Sequence, residues 1–229
     1  MSLFATLTED GSYALTGAGY TAIVLVMLGL LIAGCFITKA DEKAKTGTRQ
    51  LVFAGMALAL GFVCSFLKIF HLPMGGSVTL FSMFFVTLVG YWYGIGTGLT
   101  AAMAYGLLQM VVDPYIISIP QMLMDYVFAF GALGLAGLFS GKKNGMVKGY
   151  IVGIIGRFIF SFLSGVIFFG MWAPDSFTFG GVTIALNPYT YSALYNGSYI
   201  AAEGILTLIV LAIPAVRKAI DSVGKMAKA

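Results

Sequence analysis

The sequence predicts an all-α integral membrane protein of seven spans, with the N-terminus outside and the C-terminus inside. Three observations predict it. The chain of 229 residues is 59% hydrophobic and only 10% charged, with a mean hydropathy of +0.96, whereas soluble domains are about a quarter charged. Apolar runs recur at 18–38, 50–71, 78–93, 95–112, 117–139, 146–172 and 189–216. Each approaches the roughly 20 residues a helix needs to cross a hydrocarbon core. The basic residues fall almost wholly into every second connection, as the positive-inside rule requires. A soluble enzyme, a disordered chain and a nucleic-acid binder are excluded, because water cannot be the solvent of so much apolar surface.

Residues 1–17 contain no Lys or Arg but do contain Glu9 and Asp10, and are read as an external segment. A secretory signal carries its positive charge in front; here Lys39, Lys43, Lys45 and Arg49 follow the first run. The run 18–38 is therefore a retained membrane helix, and 39–49 a cytoplasmic basic loop. The run 50–71 comes next, then an outward loop at 71–77. The runs 78–93 and 95–112 meet at Tyr93-Gly94-Ile95-Gly96, which reads equally as one tight hairpin or as two tilted helices. Asp113-Pro114 closes the second of them. The loop after 139 carries Lys142, Lys143 and Lys148, segment 173–188 carries only Asp175, and the cytoplasmic tail 217–229 carries Arg217, Lys218, Lys225 and Lys228. Eleven of the thirteen basic residues thus share one side, and the other two, Lys68 and Arg157, lie inside spans.

Several chemistries are absent from this pattern. The Gly-rich stretch 94–98 lacks the Lys-Ser/Thr of a nucleotide-binding loop. The two cysteines, Cys35 and Cys64, sit in apolar runs and imply no disulfide framework. The single histidine, His71, has no second ligand at metal-binding spacing, so neither metal nor cofactor is expected. The 30 glycines fit close packing between membrane helices. Any uphill transport must draw on a partner or on an ion gradient, and the lack of an internal repeat weighs against a repeat-built carrier.

Intramembrane ionisable residues are functional candidates by default: Lys68, Asp125, Arg157 and Glu203. At about 1.5 Å of rise per residue, Asp125, Asn196 and Ser161 share a layer roughly 10–16 Å below the outer surface. Tyr115, Tyr191 and Phe169 sit nearer the mouth, Tyr126 follows Asp125, and Gln121 lies one turn above it on the same face. The expected site is an outward-facing pocket with an aromatic rim and a carboxylate at its floor, suited to a small, flat, cationic or amine-bearing solute. The plainer alternative pairs Asp125 with Arg157 as membrane glue. Depth favours a different pairing, since Arg157 and Glu203 both lie roughly 21–22 Å down, as a structural ion pair below the pocket. Lys68 is read as a snorkelling boundary residue, His71 as a loop residue, and Trp92 and Trp172 as interface anchors. The loop 71–77 borders the mouth, as a lid or as an ordinary connection. Gly55 with Ala59, and Ala57 with Gly61, form small-xxx-small pairs that pack within the chain or dock a partner membrane protein.

Four segments carry a family resemblance: Leu72-Pro73-Met74-Gly75-Gly76-Ser77; Asp113-Pro114-Tyr115-Ile116 with Gln121, Asp125 and Tyr126; Phe162 with Ser164-Gly165-Val166-Ile167-Phe168-Phe169; and Tyr191-Ser192 with Tyr195-Asn196-Gly197-Ser198. Over 50–216 the chain resembles the thiamine-specific substrate-binding (S) components of energy-coupling factor transporters. The resemblance implies a six-helix substrate-binding membrane domain at 50–216, with helix 18–38 as an addition outside the family core. It implies thiamine as ligand, and a transmembrane coupling protein with two ATPase subunits as partners in the bilayer. It also implies Tyr115, Asp125, Tyr126, Gly165, Tyr191 and Asn196 as lining of the site, and the helix bearing Gly55, Ala57, Ala59 and Gly61 as the docking face. Three positions depart from the family: Ser161 replaces a histidine, Phe169 a tryptophan, and Gly75-Gly76-Ser77 the segment holding another. These departures imply a weaker affinity or a relative of thiamine. Two alternatives stay open, an S component for another small heterocycle or amine and a self-sufficient proton-coupled carrier. An intramembrane enzyme is not expected, because no nucleophile–base pair or metal cluster accompanies Asp125.

Overall fold

In the computed structural model the described residues are 3–7, 13–22, 25, 29, 47–72, 75–112, 114–179 and 182–228. Among the described residues from Gly47 on, seven helices follow one another: α1 (Gly47–Phe66), α2 (Ser82–Tyr93), α3 (Ile95–Val112), α4 (Ile119–Phe139), α5 (Gly145–Phe168), α6 (Pro188–Ala212) and α7 (Pro214–Lys228). Five of them, α1, α3, α4, α5 and α6, are long and apolar enough to cross a membrane. Residues 17–22, 25 and 29 are also helical; the rest of the expected extra span 18–38, with Cys35, and most of the basic loop 39–49 lie outside the described residues.

The expectation of an all-α chain needs correcting. The fold is mostly helical but adds three antiparallel two-stranded hairpins: β1 (Ala5–Leu7) with β2 (Tyr13–Leu15), β3 (Lys68–His71) with β4 (Ser77–Thr79), and β5 (Ser176–Phe179) with β6 (Val182–Ala185). The second hairpin pairs Lys68 with Thr79 and His71 with Ser77 and turns through Gly75 at φ +90°. It takes the end of the run 50–71 and the start of the run 78–93, so α2 begins only at Ser82 and has 12 residues. The β-branched and aromatic content of both strands suits extended backbone. Two further boundaries differ. The run 146–172 leaves its helix at Phe168, and the described part of the basic tail expected at 217–229 belongs to helix α7.

The α2–α3 alternative resolves into a hairpin of two helices joined through Gly94 alone, at φ +86°. Small residues let α4 join them. A Cβ on Gly90 would lie 2.9 Å from the Gly134 carbonyl oxygen, and one on Gly98 would lie 2.6 Å from the Gly90 Cα. Without side chains at this crossing the three backbones touch. The last turns of α4, from Ala132 to Phe139, tighten into a 3₁₀ helix in which Ala132, Gly134, Ala136 and Gly137 are buried. Runs of that length are uncommon and need tertiary support, which the packed α2, α3 and α5 supply. Elsewhere the helices follow ordinary rules. Asn187 and Thr190 form a reciprocal cap before Pro188 at the start of α6, and buried Gln50 donates to Thr97 Oγ1 (2.9 Å) to tie α1 to α3.

The small-residue pairs on α1 separate. Ala57 is buried, and Gly61 packs against α2 and α3: its carbonyl accepts the Tyr105 hydroxyl at 2.9 Å, and a Cβ there would lie 3.2 Å from the Ser82 oxygen. The expectation that Ala57 and Gly61 belong to a docking face is therefore corrected; they pack the chain against itself. Gly55 has no neighbour that an added Cβ would touch, and Ala59 is exposed, so that pair faces outward beside exposed Met56, Leu60 and Val63. Trp92, read as an interface anchor, is instead buried beneath α7, where Gly224 leaves room for its indole.

Candidate functional site

At the end of the bundle carrying the β3–β4 and β5–β6 hairpins, the helices enclose a cavity of about 1080 Å³, its open mouth included. All nine candidate ligand residues line it: Tyr115, Gln121, Asp125, Tyr126, Ser161, Gly165, Phe169, Tyr191 and Asn196. Gly75, Gly76 and Ser77 of the loop 71–77 line it too; Pro73, Met74 and Asp113 lie outside the described residues.

The wall built by α4 begins with a cap. Ser118 Oγ accepts from Gln121 N, with Pro120 in the first turn. The helix then widens into a π-turn over Leu123–Phe128, a distortion that recurs at functional sites. Asp125 sits in that turn. Gln121, itself buried, donates from Nε2 to Asp125 Oδ2 (2.7 Å) and to the Tyr115 carbonyl (3.1 Å), and accepts from Ile117 N (3.1 Å). Tyr126 turns its hydroxyl oxygen to the backbone N–H of Tyr115 (2.8 Å). One side chain thus aims the carboxylate while another fixes the loop above it. Gly106 on α3 is needed opposite, since a Cβ there would collide with the Tyr126 carbonyl.

The facing wall comes from α5 and α6. Arg157, Ser161, Gly165 and Phe169 recur every four residues on one face, and Phe169 leans on Tyr115 with ring centroids 5.9 Å apart. On α6, Tyr191, Ser192, Tyr195, Asn196 and Tyr199 form the matching stripe. Asn196 bridges the two helices. Its Nδ2 donates to the Ser161 carbonyl (3.1 Å) and to the Ser192 carbonyl (3.1 Å), and its Oδ1 accepts from Tyr199 OH (2.8 Å). Gly165 is what permits this approach, because a Cβ there would lie 2.9 Å from Asn196 Nδ2. Asn196 therefore keeps only one acceptor lone pair for a ligand.

The expected Arg157–Glu203 ion pair is not formed. Glu203 is 2% exposed, and its carboxylate accepts from Thr79 Oγ1 (2.6 Å), Ser82 Oγ (3.2 Å) and Met83 N (2.9 Å). The reason is the late start of α2. Its N-terminus, with unpaired N–H groups and the positive end of the helix dipole, lies opposite Glu203 and takes the carboxylate as its cap. Arg157 instead lies over the Phe130 ring, 4.1 Å from guanidinium carbon to ring centre, and lines the cavity with its Nε buried and unbonded. The alternative of an Arg157–Asp125 pair is not formed either: among the described residues Asp125 accepts one hydrogen bond, from Gln121.

Sequence reasoning missed several lining residues. Lys68, read as a boundary residue, stands on β3 and lines the cavity, as do Ser65, Gln109, Thr79 and Ser82. Tyr195 lies one turn from Tyr191 and its hydroxyl oxygen accepts from Gly76 N (2.9 Å), joining α6 to the loop 71–77. The four-residue spacing from Tyr191 to Tyr195 to Tyr199, and from Arg157 to Ser161, was the signal that could have found Tyr195, Tyr199 and Arg157 as lining. His71 and Trp172 are exposed, the latter with its ring 6.2 Å from Phe169.

Apolar spans around a polar, ring-lined cavity, whose carboxylate makes no ion pair among the described residues, define a multi-pass membrane protein with a solute-sized cavity. The sequence profile of the family described as "Thiamine transporter protein (Thia_YuaJ)" matches residues 51–221, and the chain belongs to that family of transporters, which are not enzymes and reside in the cell membrane. Among curated relatives, the thiamine transporter ThiT of Bacillus subtilis (strain 168) is 30% identical over 154 residues, 61% of this chain and 75% of that protein. The thiamine transporter ThiT of Lacticaseibacillus paracasei is 26% identical over 106 residues, 41% of this chain and 48% of its own length. A solved structure of ThiT from Listeria monocytogenes shares the fold at a TM-score of 0.55 and 21% identity, over 71% of this chain and 92% of that one.

Proposed function

We propose that this chain is the substrate-binding subunit of an energy-coupled thiamine transporter, holding the vitamin in the cavity floored by Asp125. The observation that carries the reading is that carboxylate: it lines a cavity among aromatic rings, has no ion pair among the described residues, and belongs to a chain of the thiamine transporter family. A carboxylate in a low-dielectric site gains most from a cation or a charge-assisted donor. Thiamine offers both, a permanently charged thiazolium and an aminopyrimidine N–H. Tyr115, Phe169 and Tyr191 supply ring faces for stacking, and Arg157 supplies donors to ring nitrogens or to the hydroxyethyl oxygen.

The orientation that fits is the seven-span path with the N-terminus outside, the cavity mouth outward and the basic end of the bundle in the cytoplasm. Gly55 and Ala59, on the exposed apolar face of α1, are the small-residue pair left to meet a transmembrane coupling protein. Gly75, Gly76 and Ser77 close over the mouth, latched by Tyr195 at Gly76. Tyr195→Phe removes the hydrogen bond from Gly76 N, worth about 1 kcal/mol, so thiamine should leave roughly fivefold faster in stopped-flow fluorescence. An unchanged off-rate would show that the contact does not gate release.

Uptake of labelled thiamine tests the function. Cells lacking their own thiamine uptake should accumulate the vitamin when they make this chain together with an energy-coupling ATPase module. The chain alone should bind without accumulating. Accumulation by the chain alone, collapsed by a protonophore, would establish the proton-coupled carrier instead.

A further inference from the structure

The helix α7 starts at Pro214, one residue beyond α6, where Ile213 turns to extended backbone and breaks the helical path. One stripe of α7, Val216, Ile220, Val223 and Ala227, packs onto the bundle core. The spacing of i, i+4, i+7 and i+11 is that of a single helix face. Polar contacts pin it further: Tyr93 OH donates to the Ala227 carbonyl (3.2 Å), and Tyr91 OH reaches Asp221 Oδ1 (3.5 Å). The helix contacts α6, α1 and α2, at the end of the bundle opposite the cavity mouth.

Two faces of α7 remain uncovered. Ala215, Ala219 and Met226 form an exposed flank of small and apolar side chains, interrupted only by Ser222, with Met226 55% exposed. Beside it Lys218 and Lys225, seven residues apart on one face, are exposed, and Lys228 lies at the far edge. The one acid of this helix, Asp221, is engaged by Tyr91. Lys142 and Lys143, in the turn before α5, are exposed at the same end of the bundle and extend the positive surface. An apolar flank bordered by lysines matches the boundary between acyl chains and phosphate headgroups, where lysine stems lie along apolar surface and ammonium groups reach the phosphates.

We propose that α7 lies in the inner-leaflet interface and binds anionic phospholipid headgroups through Lys218, Lys225 and Lys228, with Met226 turned toward the acyl chains. The leaflet named here rests on the orientation proposed above; the lipid contact does not. The test places a fluorophore on Met226→Cys in a chain whose Cys35 and Cys64 are serine. The protein is reconstituted in nanodiscs of phosphatidylcholine alone or with phosphatidylglycerol. Both leaflets of a nanodisc are alike, so failure here leaves the thiamine reading untouched, and failure of thiamine binding leaves this result standing. The expected result is a blue-shifted emission quenched by spin-labelled lipid in phosphatidylglycerol discs. That quenching should be lost at high salt and in the triple variant Lys218→Gln, Lys225→Gln, Lys228→Gln. Equal quenching with and without phosphatidylglycerol would overturn the headgroup contact. A label that stays in water in both discs, or is shielded only when a coupling protein is added, would overturn the lipid assignment altogether.

Discussion

Asp125→Asn is expected to weaken thiamine binding by about 30- to 150-fold, the equivalent of roughly 2–3 kcal/mol. The ligand-free protein should unfold at nearly the same temperature. Asparagine keeps the volume of the side chain and an oxygen that still accepts from Gln121, whose bond to Oδ2 is the protein's own hold on this group. What disappears is the charge, and among the described residues no ion pair uses it. Were Asp125 membrane glue, its loss would strand a buried cation and lower stability; in the structure it faces a cavity. Isothermal titration with thiamine, set beside thermal unfolding without it, separates the two roles. An unchanged affinity would remove Asp125 from the binding site.

Glu203→Ala is expected to act the other way, on the fold before the ligand. Its carboxylate accepts from Thr79, Ser82 and Met83 N at a helix start inside the bundle. Removing it leaves Met83 N and one of the two hydroxyls without an acceptor, because Thr79 Oγ1 and Ser82 Oγ also bond each other (2.6 Å); each loss costs about 1 kcal/mol, and the positive end of α2 is left uncapped. The apparent unfolding temperature in detergent should fall by on the order of 10 °C. Glu203→Gln, which keeps one acceptor oxygen, should fall about half as far. Because Thr79 and Ser82 also line the cavity, thiamine affinity should decline as a consequence. A Glu203→Ala protein as stable as the wild type would show that the cap contributes nothing.

The sequence made much of the bundle legible through apolar length alone. The runs 95–112 and 117–139 coincide with α3 and α4 to within two residues, because nothing but a helix satisfies backbone groups within lipid. Helix ends were less legible where a hairpin competes. Lys68–His71 and Ser77–Thr79 continue the apolar runs they adjoin only through Ile69, Phe70 and Val78, and pairing with each other makes them strands. The cavity was legible where helical spacing and depth agree, as for Asp125, Gln121, Ser161 and Asn196. Depth counting failed for Arg157 and Glu203. It assumed straight, full-length helices, whereas α2 starts late and presents a helix terminus to Glu203, freeing Arg157 for the cavity. The π-turn that holds Asp125 was hidden because 117–139 reads as one nearly continuous apolar run, in which no helical period stands out. Helix α7 was hidden by its charge: four basic residues read as a solvated tail, while its packed stripe shows only when the spacing of Val216, Ile220, Val223 and Ala227 is followed.

The most direct test of the account is an equilibrium titration of the purified wild-type chain with thiamine, followed by tyrosine and tryptophan fluorescence. Trp172, its ring 6.2 Å from Phe169, and the tyrosines lining the cavity make binding visible without a label. Saturable binding of one thiamine per chain, independent of any partner subunit, is expected. A signal that stays flat into the millimolar range, in protein that still unfolds cooperatively, would contradict it.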